Sequence, residues 1–78
     1  MRWVAQIPHP SMTINLYSHN ERWIWKFEAG PMEQTFKIPY TKMPTEQAAR
    51  DFLTEAFLDE VLERLNEMFL SLKRNLEG

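Results

Sequence analysis

Apolar and polar residues alternate with a period of two in two neighbouring stretches of the first half of the chain. Such alternation is typical of a β-strand with one buried face. Residues 11–17 and 22–28 follow it, and their apolar positions are Met12, Ile14, Leu16, Trp23, Trp25 and Phe27. The pattern predicts a hairpin whose apolar side chains all lie on one face of a sheet.

The segment between these two strands predicts the register of the hairpin. With His19-Asn20 at the tip, every pair on the apolar face consists of two apolar residues, although His19 suits a type I′ turn poorly. The predicted pairs on this face are Leu16 with Trp23, Ile14 with Trp25, and Met12 with Phe27. On the opposite face they are Tyr17 with Arg22, Asn15 with Ile24, and Thr13 with Lys26.

Two further alternating segments flank the hairpin. In the first, Trp3, Ala5 and Ile7 share one face, and the run ends at Pro8-His9-Pro10, where neither proline can donate to a ladder. The second covers residues 33–38, after the turn signal Ala29-Gly30-Pro31 and before Pro39. We therefore expect a four-stranded antiparallel meander, ββββ.

The second half of the chain has helical periodicity, with a change of phase. Thr45 is the expected cap of a first helix, which has an acidic residue in its first turn. The apolar stripe before Thr54 and the stripe after it lie on roughly opposite sides, so one straight helix could not bury both against one sheet. We expect a break near Thr54, which can cap a second, longer helix with Leu53 and Leu58 as a hydrophobic staple.

Together these elements predict an α+β fold in which C-terminal helices cover one face of the sheet. We expect one domain over residues 1–78, with the sheet in residues 1–40 and the helical cover in residues 45–76. The expected core consists of Met12, Ile14, Leu16, Trp23, Trp25, Phe27, Phe36 and Ile38 against Leu58, Val61, Leu62, Leu65 and Phe69.

Composition narrows the class of protein. The 78 residues include no cysteine, which excludes a disulfide scaffold and thiolate-ligated metal sites. The net charge of −2 argues against general binding of polyanions. No apolar run approaches the length of a membrane helix, and the N-terminal sequence lacks the apolar segment of a signal peptide, so we expect a cytoplasmic protein without membrane contact.

No arrangement of residues predicts catalysis. His9 and His19 lie in expected turns at a spacing that matches no metal-ligand motif. The acidic residues of the long helix lie beside or opposite the leucine stripe, where water is expected to solvate them; they are Asp59, Glu60, Glu63 and Glu67. With only two glycines, the chain has no phosphate-binding loop. We expect no catalytic residue, no metal and no cofactor.

Two surfaces remain as candidate binding sites. The exposed face of the sheet presents the candidate residues Tyr17, Arg22, Ile24, Lys26 and Lys37. The second surface is the end of the long helix, which exceeds the length of a small sheet, so Phe69, Leu72 and Leu76 are expected to extend past it as an apolar patch.

The patch favours a homodimer, because a closed two-fold pair is the commonest way to bury such a surface. We therefore predict a small, homodimeric, non-enzymatic module that acts in protein interaction or regulation. A second, different protein is a further possible partner. The alternative is a single-stranded nucleic-acid-binding domain that uses the exposed sheet face, which the net charge disfavours.

Overall fold

The computed structural model describes residues 1–78 and has the α+β architecture that the sequence predicts. Four antiparallel strands form one open sheet in the order β1-β2-β3-β4, followed by a short and a long helix. Their bounds are β1 Arg2–Ile7, β2 Thr13–His19, β3 Arg22–Ala29, β4 Met32–Pro39, α1 Glu46–Asp51 and α2 Glu55–Glu77. We call the face of the sheet that packs against the helices the core face, and the opposite one the outer face.

The predicted register of the central hairpin is wrong by two positions. Leu16 pairs with Trp25, Ile14 with Phe27 and Ser18 with Trp23; on the outer face Tyr17 pairs with Ile24, Asn15 with Lys26 and Thr13 with Glu28. The reason is the turn, whose tip is Asn20-Glu21, with φ of 51° and 59°. Two consecutive positive φ values define the type I′ geometry that matches the twist of a hairpin. Because the shift is even, each side chain keeps its predicted face.

A β-bulge in β1 overturns the predicted face of Trp3. The pairing of β1 with β2 shifts between Trp3 and Ala5, so that Trp3 lies opposite Tyr17 while Ala5 lies opposite Leu16. The extra residue is Val4, which packs against the core. Trp3 therefore lies on the outer face, where its indole Nε1–H donates to Oδ1 of Asn15 at 3.1 Å.

The core is built on β2 and β3. The six apolar residues of the predicted hairpin face are all buried, and Trp25, Phe27, Ile14 and Leu16 are inaccessible to solvent. Phe36, Ile38, Leu58 and Leu62 are partly buried at its border, and the helices contribute Ala49, Val61 and Leu65. Phe69, which the sequence placed in the core, is 43% exposed, because the buried part of α2 ends at Leu65.

The predicted break in the helical half is confirmed. Helix α1 begins after Thr45, whose Oγ1 accepts from the N–H of Ala48 at 3.0 Å. Helix α2 begins after Thr54, whose Oγ1 accepts from the N–H of Phe57 at 3.2 Å. Each threonine satisfies a backbone donor that the first turn of its helix leaves free.

Gln34 fixes the long helix on β4. It lies on the core face opposite Phe27, and its Nε2 donates to the backbone oxygen of Val61 at 3.0 Å. Its Oε1 accepts from Nε of Arg64 at 3.1 Å, and the Arg64 guanidinium lies 5.9 Å from the centre of the Phe36 ring. One side chain therefore sets the position of α2 along β4.

Replacing Trp25 by alanine is expected to lower the free energy of unfolding by about 3–5 kcal/mol, the usual range for a large aromatic side chain removed from a core. The matched control is Trp3→Ala, which removes the same side chain from a site that is 57% exposed; we expect a loss of at most about 1 kcal/mol there. Denaturant melts of the two variants measure the difference. Similar losses would show that the two faces are wrongly assigned.

Replacing Glu21 by glycine is expected to stabilise the protein by about 0.5–1 kcal/mol, because glycine adopts the positive φ of this position without steric cost. Glu21→Ala is the control, since alanine keeps the Cβ atom that causes the strain and should bring no gain. Thermal melts of both variants provide the test. Equal stability of the two would contradict a type I′ turn at this position.

Candidate functional site

The C-terminal part of α2 is its least buried part. The helix has 23 residues and is about 35 Å long, whereas the eight residues of β4 span about 26 Å. The molecule is correspondingly elongated, at 45 × 25 × 19 Å. No residue of α2 after Leu65 is buried. We call residues 68–77 the overhang.

Half-exposed apolar side chains concentrate on the overhang. Five of the eight large hydrophobic residues that the protein exposes belong to it, and their exposed fractions are 36% for Met68, 43% for Phe69, 48% for Leu70, 38% for Leu72 and 77% for Leu76. The structure thus brings the predicted residues Phe69, Leu72 and Leu76 together on one unpartnered surface.

Four of these five side chains continue the stripe that packs against the sheet. At 100° per residue, Met68 and Leu72 follow Val61 and Leu65 on one side of α2. Phe69 and Leu76 form a second row directly beside it, and Leu70 lies roughly opposite. The same face of the helix is therefore core in its first half and open in its second half.

Two grooves border α2 where it passes the turn between β3 and β4. One lies between this turn and Met68, Leu72 and Asn75, and Pro31 forms part of its wall. The other is more apolar and lies on the Phe69 side of the helix; its lining includes Ala29, Gly30, Pro31, Leu62, Leu65 and Phe69. The overhang thus borders the β3–β4 turn from Met68 to Asn75.

The second candidate surface is a row of side chains across the outer face. Trp3, Tyr17, Ile24 and Lys37 are successive cross-strand neighbours on the four strands. Trp3 and Lys37 are exposed, and Tyr17 is half-buried. The predicted residue Ile24 is only 5% exposed, because its neighbours on the same face cover it. It lines a depression with Lys26, Lys37 and His19 and is not available for extensive contact.

The charges on the outer face are mixed. Lys26 lies 3.8 Å from a carboxylate oxygen of Glu33, and its Nζ lies 5.5 Å from the centre of the Tyr17 ring. Glu28 and Glu33 face each other at the end of the sheet near the β3–β4 turn. Exposed Arg22 and Lys37 lie toward the other end, so the face has one basic end and one acidic end.

The remaining titratable residues do not assemble into a site. Nδ1 of His9 accepts from the N–H of Ser11 at 3.1 Å, and His19 is exposed at the end of β2. No three histidine, aspartate or glutamate side chains lie in an arrangement that could hold a metal ion. None of the helices is long and apolar enough to cross a membrane.

Comparison with protein-family models, with curated proteins and with solved structures finds no match for this chain. The argument about function therefore depends on the two surfaces alone.

Sequence reasoning missed two contributors to these surfaces. Trp3 reaches the outer face through a bulge that simple alternation does not reveal. Pro31 lines both grooves because α2 crosses the β3–β4 turn, a position that Gln34 determines. Met68 is also absent from the predicted interface residues. The helical spacing of the apolar stripe includes Met68, so this spacing alone was sufficient to predict it as part of the interface.

Proposed function

We propose that this chain is a small protein-interaction or regulatory module, without enzymatic activity, that associates with a second copy of itself through the overhang. One observation carries the proposal: the apolar stripe of α2 continues past Leu65, the last buried residue of the helix, with Met68, Phe69, Leu72 and Leu76 between 36% and 77% exposed. A contiguous apolar patch of this kind usually marks an interface. A cytoplasmic location stays a prediction from the sequence.

The size of the patch sets the expected strength of the dimer. If a large side chain presents about 200 Å² when fully exposed, the four residues together present roughly 400 Å² per chain. Two such patches would bury about 800 Å² in total, which is below the range of about 1,200–2,000 Å² for standard stable interfaces. We therefore expect a weak, reversible dimer with a dissociation constant on the order of 10 μM.

A second candidate function has support from one observation on the outer face. The bulge in β1 exposes 57% of Trp3 beside Tyr17, with Arg22 and Lys37 on the same face. Aromatic rings among cations are the usual contact surface of single-strand nucleic-acid binders. Glu28 and Glu33 on this face weaken the alternative, and so does the contact of Lys26 with Glu33. We therefore rank it second.

Replacing Leu72 by glutamate is expected to weaken self-association by more than about tenfold, because the change places a charge in a contact that excludes water. The matched control is Leu70→Glu, the same change on the opposite side of the helix at a residue that is 48% exposed. Sedimentation of both variants and the wild type over a range of concentrations measures the effect.

The outcomes of this comparison are distinct. Loss of the dimer in Leu72→Glu alone supports the proposal, and equal loss in both variants would mean that the stripe is not the contact. A wild-type protein that stays monomeric at high micromolar concentration would refute self-association. Circular dichroism checks that each variant keeps its fold, as expected for side chains outside the core.

Titration with a short single-stranded oligonucleotide at two salt concentrations tests the second candidate. Binding through phosphates weakens steeply as salt rises, and loss of one stacked base costs about 1–3 kcal/mol. If the outer face binds nucleic acid, Trp3→Ala should weaken binding by that amount, whereas Phe52→Ala should not, because this aromatic residue, 39% exposed, lies on the helical side. Absence of binding at low salt would remove this candidate.

A further inference from the structure

The free edge of β4 has a sequence that is complementary to itself. β4 is the last strand of the sheet, so one side of its backbone has no strand beside it. We propose that two copies of the chain pair through this edge, antiparallel to each other, with a two-fold axis at Thr35. This contact is separate from the overhang and does not depend on the proposed function.

The hydrogen bonds between β3 and β4 determine which backbone groups the edge offers. The N–H of Tyr40 donates to the carbonyl oxygen of Glu21 at 3.0 Å, so the backbone groups of Tyr40 point toward the chain of β3. In an antiparallel ladder this direction alternates from one residue to the next. The N–H and carbonyl groups of Glu33, Thr35 and Lys37 therefore point away from the sheet, and all three residues are exposed.

Two prolines limit the edge to the residues between them. Pro31 and Pro39 lie four positions before and after Thr35, and neither has an N–H that could donate to a neighbouring strand. Residues 32–38 offer three outward N–H donors on each copy, so two edges centred on Thr35 form six backbone hydrogen bonds. Pro31 of one copy then lies opposite Pro39 of the other, which prevents a longer ladder.

The charges are complementary in this register. With Thr35 opposite its own copy, Glu33 of each chain lies opposite Lys37 of the other, which gives two ion pairs on the outer face. Lys37 forms no ion pair within its own chain. Glu33 lies directly opposite Glu28, a pair of like charges, and Lys26 lies 3.8 Å from Glu33. Lys37 of the second copy adds another cation beside these two carboxylates.

The core face also matches itself in this register. Met32 of one copy lies opposite Ile38 of the other, and Gln34 lies opposite Phe36. Phe36 and Ile38 are only half-buried in the single chain, and no strand lies beyond them. The second β4 therefore covers apolar surface that the single chain leaves accessible to water.

The charges of the long helices balance near the axis. A two-fold axis between antiparallel strands is perpendicular to the sheet, so both α2 helices lie on the core face and run in opposite directions. Arg64 lies above the edge, where it contacts Gln34 and Phe36, and Glu60 precedes it by one turn on the same side of the helix. Each helix thus brings one guanidinium and one carboxylate to this region.

The short ladder sets the expected strength of the pair. Added strands bind mainly through their backbone hydrogen bonds, and a contact of seven residues per copy belongs to the weak class of interfaces. We therefore expect a dissociation constant on the order of 100 μM, weaker than that of the overhang dimer. The pair is closed, because it uses the free β4 edge of both copies.

Exchange of charges tests the register. Within Leu72→Glu, which removes the overhang contact, Glu33→Lys and Lys37→Glu should each weaken association about tenfold at low salt, because each places like charges opposite each other twice. An equimolar mixture of the two variants should form a mixed dimer, since every facing pair is then of opposite charge. The double variant with both changes should restore the symmetric dimer. Sedimentation at protein concentrations up to about 1 mM, ten times the expected dissociation constant, measures all four samples.

A proline at the axis provides a second, independent test. Thr35→Pro removes an N–H that points away from β3, so a single chain tolerates the change, whereas the pair loses its two central hydrogen bonds. Thr35→Val keeps the N–H and is the matched control. Amide exchange gives the residue-specific measurement: protection of the N–H groups of Glu33 and Lys37 should rise with protein concentration in Thr35→Val and stay constant in Thr35→Pro.

The outcomes separate this proposal from the proposed function. A mixed dimer from two variants that are each monomeric, together with concentration-dependent protection in Thr35→Val, supports pairing through β4. A Leu72→Glu protein that stays monomeric at about 1 mM, ten times the expected dissociation constant, overturns the pairing and leaves self-association through the overhang intact. Association that is unchanged by Glu33→Lys, Lys37→Glu and Thr35→Pro also overturns it, because the contact then lies elsewhere.

Discussion

The hydrogen bonds of Gln34 determine where the long helix sits on the sheet. An apolar stripe can slide along an apolar surface with little change in contact area, because the hydrophobic effect is not directional. The amide of Gln34 donates to the backbone of Val61 and accepts from Arg64, so it selects one position among those that burial alone permits. That position leaves Val61 and Leu65 inside the core and the rest of the stripe outside. A shift of one helical turn would either bury Phe69 or lengthen the overhang.

The faces of the strands could be predicted from the sequence, whereas their partners could not. A period of two assigns Trp25 to the core, but any even shift of the register preserves that assignment, so only the turn decides whether Ile14 or Leu16 lies opposite. Trp3 shows that the face itself can also be mispredicted. One extra residue in a strand shifts the alternation, so that every residue on the far side of the bulge lies on the face opposite to the predicted one. Ile24 is buried by lateral neighbours that alternation does not describe. The break at Thr54 was predictable because a local phase change and a capping residue coincide.

The two candidate surfaces lie on opposite sides of the molecule. The overhang belongs to the helical layer, and Trp3, Tyr17 and Lys37 belong to the outer face of the sheet. A dimer through the helices would therefore leave both outer faces accessible. Self-association and binding on the outer face are thus compatible. A dimer would present two identical outer faces to a partner with repeated binding sites, and simultaneous binding of both would raise the overall affinity without any additional kind of contact.

The bulge that turns Trp3 outward also affects the rim of the sheet. An open sheet has two unpaired edges, and a regular edge strand invites further strands and ultimately fibrils. In β1 the extra Val4 interrupts the spacing of free backbone groups, and Pro8 and Pro10 prevent the strand from continuing. Along β4, prolines at positions 31 and 39 restrict the opposite rim in the same way. A chain with 44% hydrophobic residues and a core of one layer is thereby protected against endless strand-to-strand assembly.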